Sequence, residues 1–446
     1  MRSLCPNKPL LAKALPAILV AYFERGTIRM STPLNPSEKD ILCRLVNDYM
    51  EAARQPIQAE KIRLWKALNR GRMVRPMVTI DQLPWHELAC DELTTHIRDP
   101  YWAEVETSLR QTLYKWRHFP VDMVIDPFIP IPKALTLTGY GIAPDEEVIG
   151  DANASAISHQ YHNQIQTLED VNKIQDYHIR HDEAQTAQRL EEAQLLFGDL
   201  APAVPMGCTL HLGVWDTLSM LMGVENVYFA LVDQPELLHA AMERITQSML
   251  CAIGDADACG AHNDNANICH CSHIYTDELL PGSGEGRGPL AQNCWAFGMA
   301  QLFTSTSPAV FEEFELPYIS RMAEKFGMLY YGCCERLDDR LELVKRIPHV
   351  RKVSCSPWSD RKRFAENIGP DLVMSNKPNP AFLADSSLEE AVIEEDLRRT
   401  CELAVQNRVN AEFLLKDIST VRGDPTRLQK WAAVAMRVVE DYSVAY

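Results

Sequence analysis

Met328-Leu-Tyr-Tyr-Gly-Cys-Cys-Glu-Arg-Leu-Asp338 decides how the chain reads. A short apolar, aromatic run ends in a glycine and two adjacent thiols. Arg340 to Ile347 then has helical spacing, and Val350-Arg-Lys-Val-Ser-Cys-Ser-Pro-Trp358 is a second β-rich run ending in another Cys. Strand, helix and strand in that order predict a βαβ unit. In a parallel α/β barrel the C-terminal strand ends face the active site, so Cys333, Cys334, Glu335 and Cys355 are expected at one mouth.

Working outward, further strands are predicted over 75–80, 121–125, 204–210, 266–272, 371–375 and 411–415, with helical segments between them. Each strand ends in a polar cluster. Asp81-Gln-Leu-Pro-Trp-His-Glu87 follows the first, His273 the fourth, Asn376-Lys-Pro the seventh and Lys416-Asp417 the eighth. Eight strands alternating with helices predict an α/β fold, a (β/α)8 TIM barrel over 72–446. Residues 1–71 are read as an N-terminal extension and helical collar, with Met30 as an alternative start. The apolar run Pro9 to Phe23 is superficially signal-like, but Lys13 and Pro16 interrupt it and it is too short to span a bilayer.

The 446 residues are 46% hydrophobic, 24% charged and 8% aromatic, the profile of a globular protein. A net charge of −17 opposes binding to nucleic acid. Thirteen cysteines, an odd number set among Asp, Glu and His, do not form a disulfide framework and point to a reducing cytoplasm. No membrane partner is expected, and a homo-oligomer is left open. The glycines of Tyr275 to Gly288 mark a long flexible loop able to act as a lid.

Ser307-Pro-Ala-Val-Phe-Glu-Glu-Phe-Glu-Leu-Pro-Tyr318, the opening stretch, Met374-Ser-Asn-Lys-Pro-Asn-Pro-Ala-Phe-Leu383 and Phe413-Leu-Leu-Lys-Asp-Ile418 together resemble the uroporphyrinogen decarboxylase superfamily. The likeness runs from about residue 72 to the C-terminus and is nearest to the zinc- and corrinoid-dependent methyltransferases, including those of O-demethylation and one-carbon metabolism. Where the decarboxylases carry a substrate-binding arginine loop, this chain has Asp81 and Glu87. Where they place a His after the last strand, it has Lys416-Asp417. The methyltransferases' His-x-Cys reads Tyr331-Gly-Cys333 here, and their last zinc Cys is replaced near Lys416.

The resemblance implies a methyltransferase moving a methyl group between a small methylated substrate or thiol acceptor and a corrinoid protein. Zinc would be held by Cys333 and Cys334, completed by His273 or Glu278. Glu335, Lys416 and Asp417 are the expected catalytic groups. Asp81, Trp85, Asp277, Trp295 and Tyr331 are expected to bind substrate, Trp358 adding to an apolar wall. Tyr330 and Tyr331 alternate faces, so only one of them is expected to point inward. Two rivals remain: a metal-free decarboxylase using Asp126 and Lys416, and a non-catalytic barrel that binds a corrinoid partner.

Overall fold

Asn35 caps the first helix, accepting from the Glu38 N–H while the Glu38 carboxylate accepts the Asn35 N–H, and Pro36 fits the first turn. The computed structural model describes residues 34–149, 158–280 and 288–443. Helices α1 (Pro36–Ala53) and α2 (Pro56–Asn69) precede the first sheet strand. Residues before 34, within the supposed extension, and 281–287, within the supposed lid of Tyr275 to Gly288, lie outside the described residues.

Next come β1 (Met77–Ile80), α3 (Pro100–His118), β2 (Ile129–Pro132), β3 (Ala203–Met206), α4 (Val214–Met222) and α5 (Pro235–Ala258). A hairpin of β4 (Ile268–Cys269) and β5 (Ser272–His273) follows, then β6 (Trp295–Gly298), α6 (Leu316–Ala323), β7 (Met328–Tyr331), β8 (Val350–Cys355), β9 (Val373–Asn376), α7 (Glu390–Asn407), β10 (Asn410–Leu415) and α8 (Thr426–Asp441). Six strands form one parallel sheet in the order β1-β10-β9-β8-β7-β6. This is a mixed α/β architecture. Among the described residues no helix is long and apolar enough to cross a membrane.

Period-two alternation divides each strand between two environments. Val353 and Cys355 of β8 join the large core packed under the helices, whereas Lys352 meets the hairpin on the other face. Trp65, Trp215 and Trp431 are fully buried in the helical layer.

Both sheet edges continue into less regular chain. Asp122 donates its N–H to Val78 O at 2.9 Å beside β1. Beside β6, Leu212 donates to Phe297 O at 2.7 Å, next to a parallel bridge between His211 and Phe297. β2 and β3 pair in parallel. The segment 121–125, expected to be a strand, makes that single ladder contact without regular strand geometry, in a stretch rich in proline just downstream.

The predicted fourth strand is corrected. Residues 266–272 form the hairpin, and the sheet position is taken by β6. The hairpin fills the face of the sheet that carries Thr79, Lys352, Ser375 and Glu412.

Candidate active site

The hairpin's placement follows from a satisfied polar layer. Lys352 Nζ lies 2.7 Å from Glu412 Oε2, 2.6 Å from Ser272 Oγ and 3.1 Å from His273 O. Ser272 Oγ donates to Glu412 Oε2 at 2.8 Å and Ser375 Oγ to Oε1 at 2.7 Å, while Tyr330 OH donates to Ser375 Oγ at 2.6 Å. Burial pushes the Lys352 ammonium down, and Glu412 opposes it. A buried pair is tolerable only when its remaining hydrogen bonds are filled in this way.

His270 and Cys271, at the two central turn positions, both take positive φ, 46° and 68°. Such a turn favours Asn-Gly, and other residues cost about 1–2 kcal/mol each. The tip is nevertheless fixed from several sides. Thr79 Oγ1 donates to Cys271 O at 3.0 Å, and the His270 ring stacks on Phe297 with centroids 3.9 Å apart.

Because all six strands run parallel, Ile80, Gly298, Tyr331, Cys355, Asn376 and Leu415 end on one side, and the residues after them converge. Gly332 turns the chain at φ 95°, where a Cβ would sit 2.6 Å from Leu337 Cδ1 and 3.0 Å from Ser354 Cβ. Glu335 then pins the loop, accepting from the Cys333 N–H at 2.7 Å and the Ala300 N–H at 3.1 Å. Cys333 Sγ lies 3.5 Å from Cys334 Sγ and 3.3 Å from Lys416 Nζ. Lys416 also pairs with Asp417 Oδ2 at 3.1 Å, toward which Cys334 Sγ points at 3.5 Å. Lys377 donates to Cys333 O at 2.5 Å.

His270 Nε2 is 3.2 Å from Lys377 Nζ and 3.4 Å from Lys416 Nζ. Ammoniums only donate, so this nitrogen accepts and the ring is neutral. Burial, then Lys377 and Lys416, hold its pKa well below the ordinary value.

The thiol of Cys334 lowers Cys333 most; burial opposes it, and Lys377 and Lys416 add to the lowering, leaving Cys333 at about 6. Burial pushes Lys416 down, but the Cys333 charge, then Cys271 and Asp417, outweigh it and hold the ammonium protonated well above the ordinary lysine range. Cys334 is pushed far up, first by its hydrogen bond to Cys333. Lys416 Nζ beside Cys333 Sγ and the Asp417 carboxylate beside Cys334 Sγ favour the negative charge on Cys333.

Two groups here are not apparent from the sequence. Asp216, in the first turn of α4, is raised to about 7 by burial and then by Glu335 and Cys333. His211, held neutral by burial at about 4, has a buried Nε2 with no partner. Lys377 is visible in the strand-end cluster Asn376-Lys-Pro, but nothing in the spacing marks it above its neighbours.

Of the residues expected from the sequence, Cys333, Cys334, Glu335, Lys416 and Asp417 are brought together. Asp81 joins them at the rim: its N–H donates to Leu415 O, and its carboxylate pairs with Lys115 at 3.3 Å. The others lie elsewhere. His273, at the hairpin base, accepts the Val124 N–H at Nε2. Glu278 is clamped by Arg351 at the start of β8, and Asp277 pairs with Lys66, so both sit toward the N-terminal strand ends. Trp295 begins β6, away from that mouth.

Tyr331 faces the helices and donates to Glu315 Oε1, while Tyr330 is the inward ring. Trp85 packs edge-on to Tyr114, and Trp358 is exposed. Cys355 is buried on the helix side. Asp126 accepts from Tyr275 and Asn267 at the hairpin base, whereas Lys416 meets the tip, so the acid and lysine of the decarboxylase alternative are not partners.

These residues do not fit a thiolate-bound zinc. Among the described residues no three His, Cys, Asp or Glu side chains are placed to hold a metal. Lys416 Nζ lies nearer to Cys333 Sγ than the second sulfur does, and an ammonium repels a divalent ion and donates no lone pair.

No protein-family model matches the chain, and no curated protein sequence matches it. Among solved structures it is similar to a methyltransferase from Methanosarcina mazei, with 14% identity over 85% of this chain and 98% of that one and a TM-score of 0.47.

Proposed function

We propose that the protein is a methyltransferase that takes a methyl group from a small methylated ether or amine, with a corrinoid protein as the other methyl carrier. The reaction centre is the mouth around Cys333. The architecture proposed for it is an eight-segment ring, a (β/α)8 barrel in which 121–132 and 203–212 complete the sheet between β1 and β6. The edge hydrogen bonds of Asp122 and Leu212 and the pairing of β2 with β3 support that closure.

The observation that carries the reading is the contact of Lys416 Nζ with Cys333 Sγ, beside Lys377 and within the field felt by Asp216. Methyl transfer from oxygen or nitrogen stalls because the leaving heteroatom departs with an electron pair. A carboxyl poised near pH 7 protonates that atom, and buried ammoniums offset charge as it develops. A neutral His270 accepts from both lysines and so fixes their direction. Phe297 and Met299 supply an apolar wall for the methyl-bearing body. The corrinoid supplies a strongly nucleophilic cobalt that takes the methyl.

The full-length protein, mixed with reduced corrinoid protein and a panel of phenyl methyl ethers and methylamines, is expected to give methyl-corrinoid absorbance with one class of donor. Absence of transfer across the panel, with carbon dioxide released from a carboxylated analogue, would overturn the reading.

A further inference from the structure

We propose that Cys333 carries the methyl group itself, as a thioether, in a two-step transfer that needs no metal; this deepens the methyl-transfer reading above and rests on it. The geometry around the sulfur motivates it. Glu335 fixes the Cys333 backbone through its N–H, Lys377 fixes it through its carbonyl, and Lys416 approaches the sulfur. Cys334, by contrast, turns its sulfur toward the Asp417 carboxylate, which suits a thiol rather than a thiolate. One of two adjacent sulfurs thus faces an ammonium and is built as the nucleophile, while its neighbour faces a carboxylate.

In the first step a lone pair of the Cys333 thiolate forms the sulfur–carbon bond. The bond from carbon to the donor oxygen or nitrogen breaks with its pair on the heteroatom, which takes the proton of Asp216, held by Gln301 Nε2 at 3.4 Å next to the Ala300 N–H that Glu335 binds. Solvent later reprotonates Asp216. In the second step the acceptor, a reduced cobalt corrinoid, supplies the pair that forms the new bond to carbon. The sulfur–carbon bond breaks and its pair returns to Cys333. A thiolate beside the Lys416 ammonium is a better leaving group than an ordinary one, so the charge that prepares the first step also releases the second. Lys416 stands where a thiolate-bound cation would otherwise be needed, which is why no metal enters the balance.

The test uses full-length protein, both as purified and after dialysis against EDTA, with trideuterated iodomethane as the methyl probe and peptide mass mapping. At pH 7 Cys333 is expected to label at least about 10-fold faster than the exposed Cys90. Free reduced cobalamin is expected to remove that label. Lys416→Met loses the preference and Lys416→Arg keeps most of it, with circular dichroism confirming that each variant folds. Labelling that follows exposure, labelling of Cys333 only after a chelator strips a metal, or a label that persists through reduced cobalamin overturns the proposal. Methyl transfer that survives Cys333→Ser removes the thioether but leaves the methyltransferase standing. Absence of any transfer by the unmodified protein removes the broader reading, while selective labelling would still identify the nucleophile.

Discussion

Lys352 and Glu412 form an ion pair at 2.7 Å in which neither side chain has exposed surface. Strands β8 and β10 each contribute one member, and Ser272 of the hairpin bridges them. The pair is the anchor from which the hairpin tip reaches the reaction centre. Removing one member strands a buried charge.

Lys352→Met is therefore expected to lower unfolding free energy by about 3–5 kcal/mol. The double variant Lys352→Met with Glu412→Met loses less than the sum of the two single changes, because no unpaired charge remains. Denaturant titration of the three variants measures this.

The turn of the hairpin gives a second prediction. Cys271→Gly relieves a left-handed backbone cost of about 1–2 kcal/mol and gives up a small buried thiol, so its thermal midpoint stays near that of the parent. Cys271→Val puts a β-branched side chain at φ 68° and is expected to lose more than about 2 kcal/mol. His270→Phe keeps a ring on Phe297 but removes the acceptor for Lys377 and Lys416. Two buried ammoniums then lose a partner at about 1–3 kcal/mol each, and methyl transfer falls even where the fold persists.

The same geometry explains which parts of the site could be read from the sequence. Strands β1, β7, β8, β9 and β10 were legible because each is a short apolar run that stops at a polar cluster. Since the strands are parallel, the side chains after them had to meet. That reasoning puts Cys333, Cys334, Glu335, Lys416 and Asp417 at one end of the sheet, where they lie together. It fails at Ala266 to Ser272, where a β-rich run ending in His reads as another strand. His270 and Cys271 lack the Asn-Gly chemistry that announces a tight hairpin.

That one misreading carried His273, Asp277 and Glu278 into the site, whereas in the fold they belong to the hairpin base and the opposite end of the sheet. It also displaced β6, whose four residues follow a glycine-rich stretch. Asp216 and His211 were invisible for another reason. An acid in a first helical turn and a His at an irregular strand end have ordinary structural explanations, and only burial beside Glu335 and Cys333 distinguishes Asp216.

pH dependence follows from two groups working in opposite protonation states. Cys333 must be a thiolate, and its depressed pKa means activity is lost as pH falls through about 6. Asp216 must hold a proton, and its raised pKa means activity is lost as pH rises through about 7. A narrow bell in kcat/KM is expected. Asp216→Asn cannot donate, so it lowers kcat by about 10²–10⁴-fold and abolishes the alkaline limb. An unchanged alkaline limb in that variant assigns the limb to another group.

The two-step transfer proposed for this mouth depends on Cys333 being a thiolate, which the Cys334 hydrogen bond and then Lys377 and Lys416 favour. The direct measurement is the pH dependence of iodoacetamide alkylation at Cys333, read by peptide mass spectrometry in the unmodified protein and in Lys377→Met and Lys416→Met. The account predicts a midpoint near 6 that moves up in both variants. A midpoint in the ordinary thiol range of about 8.5, unmoved by either substitution, contradicts it.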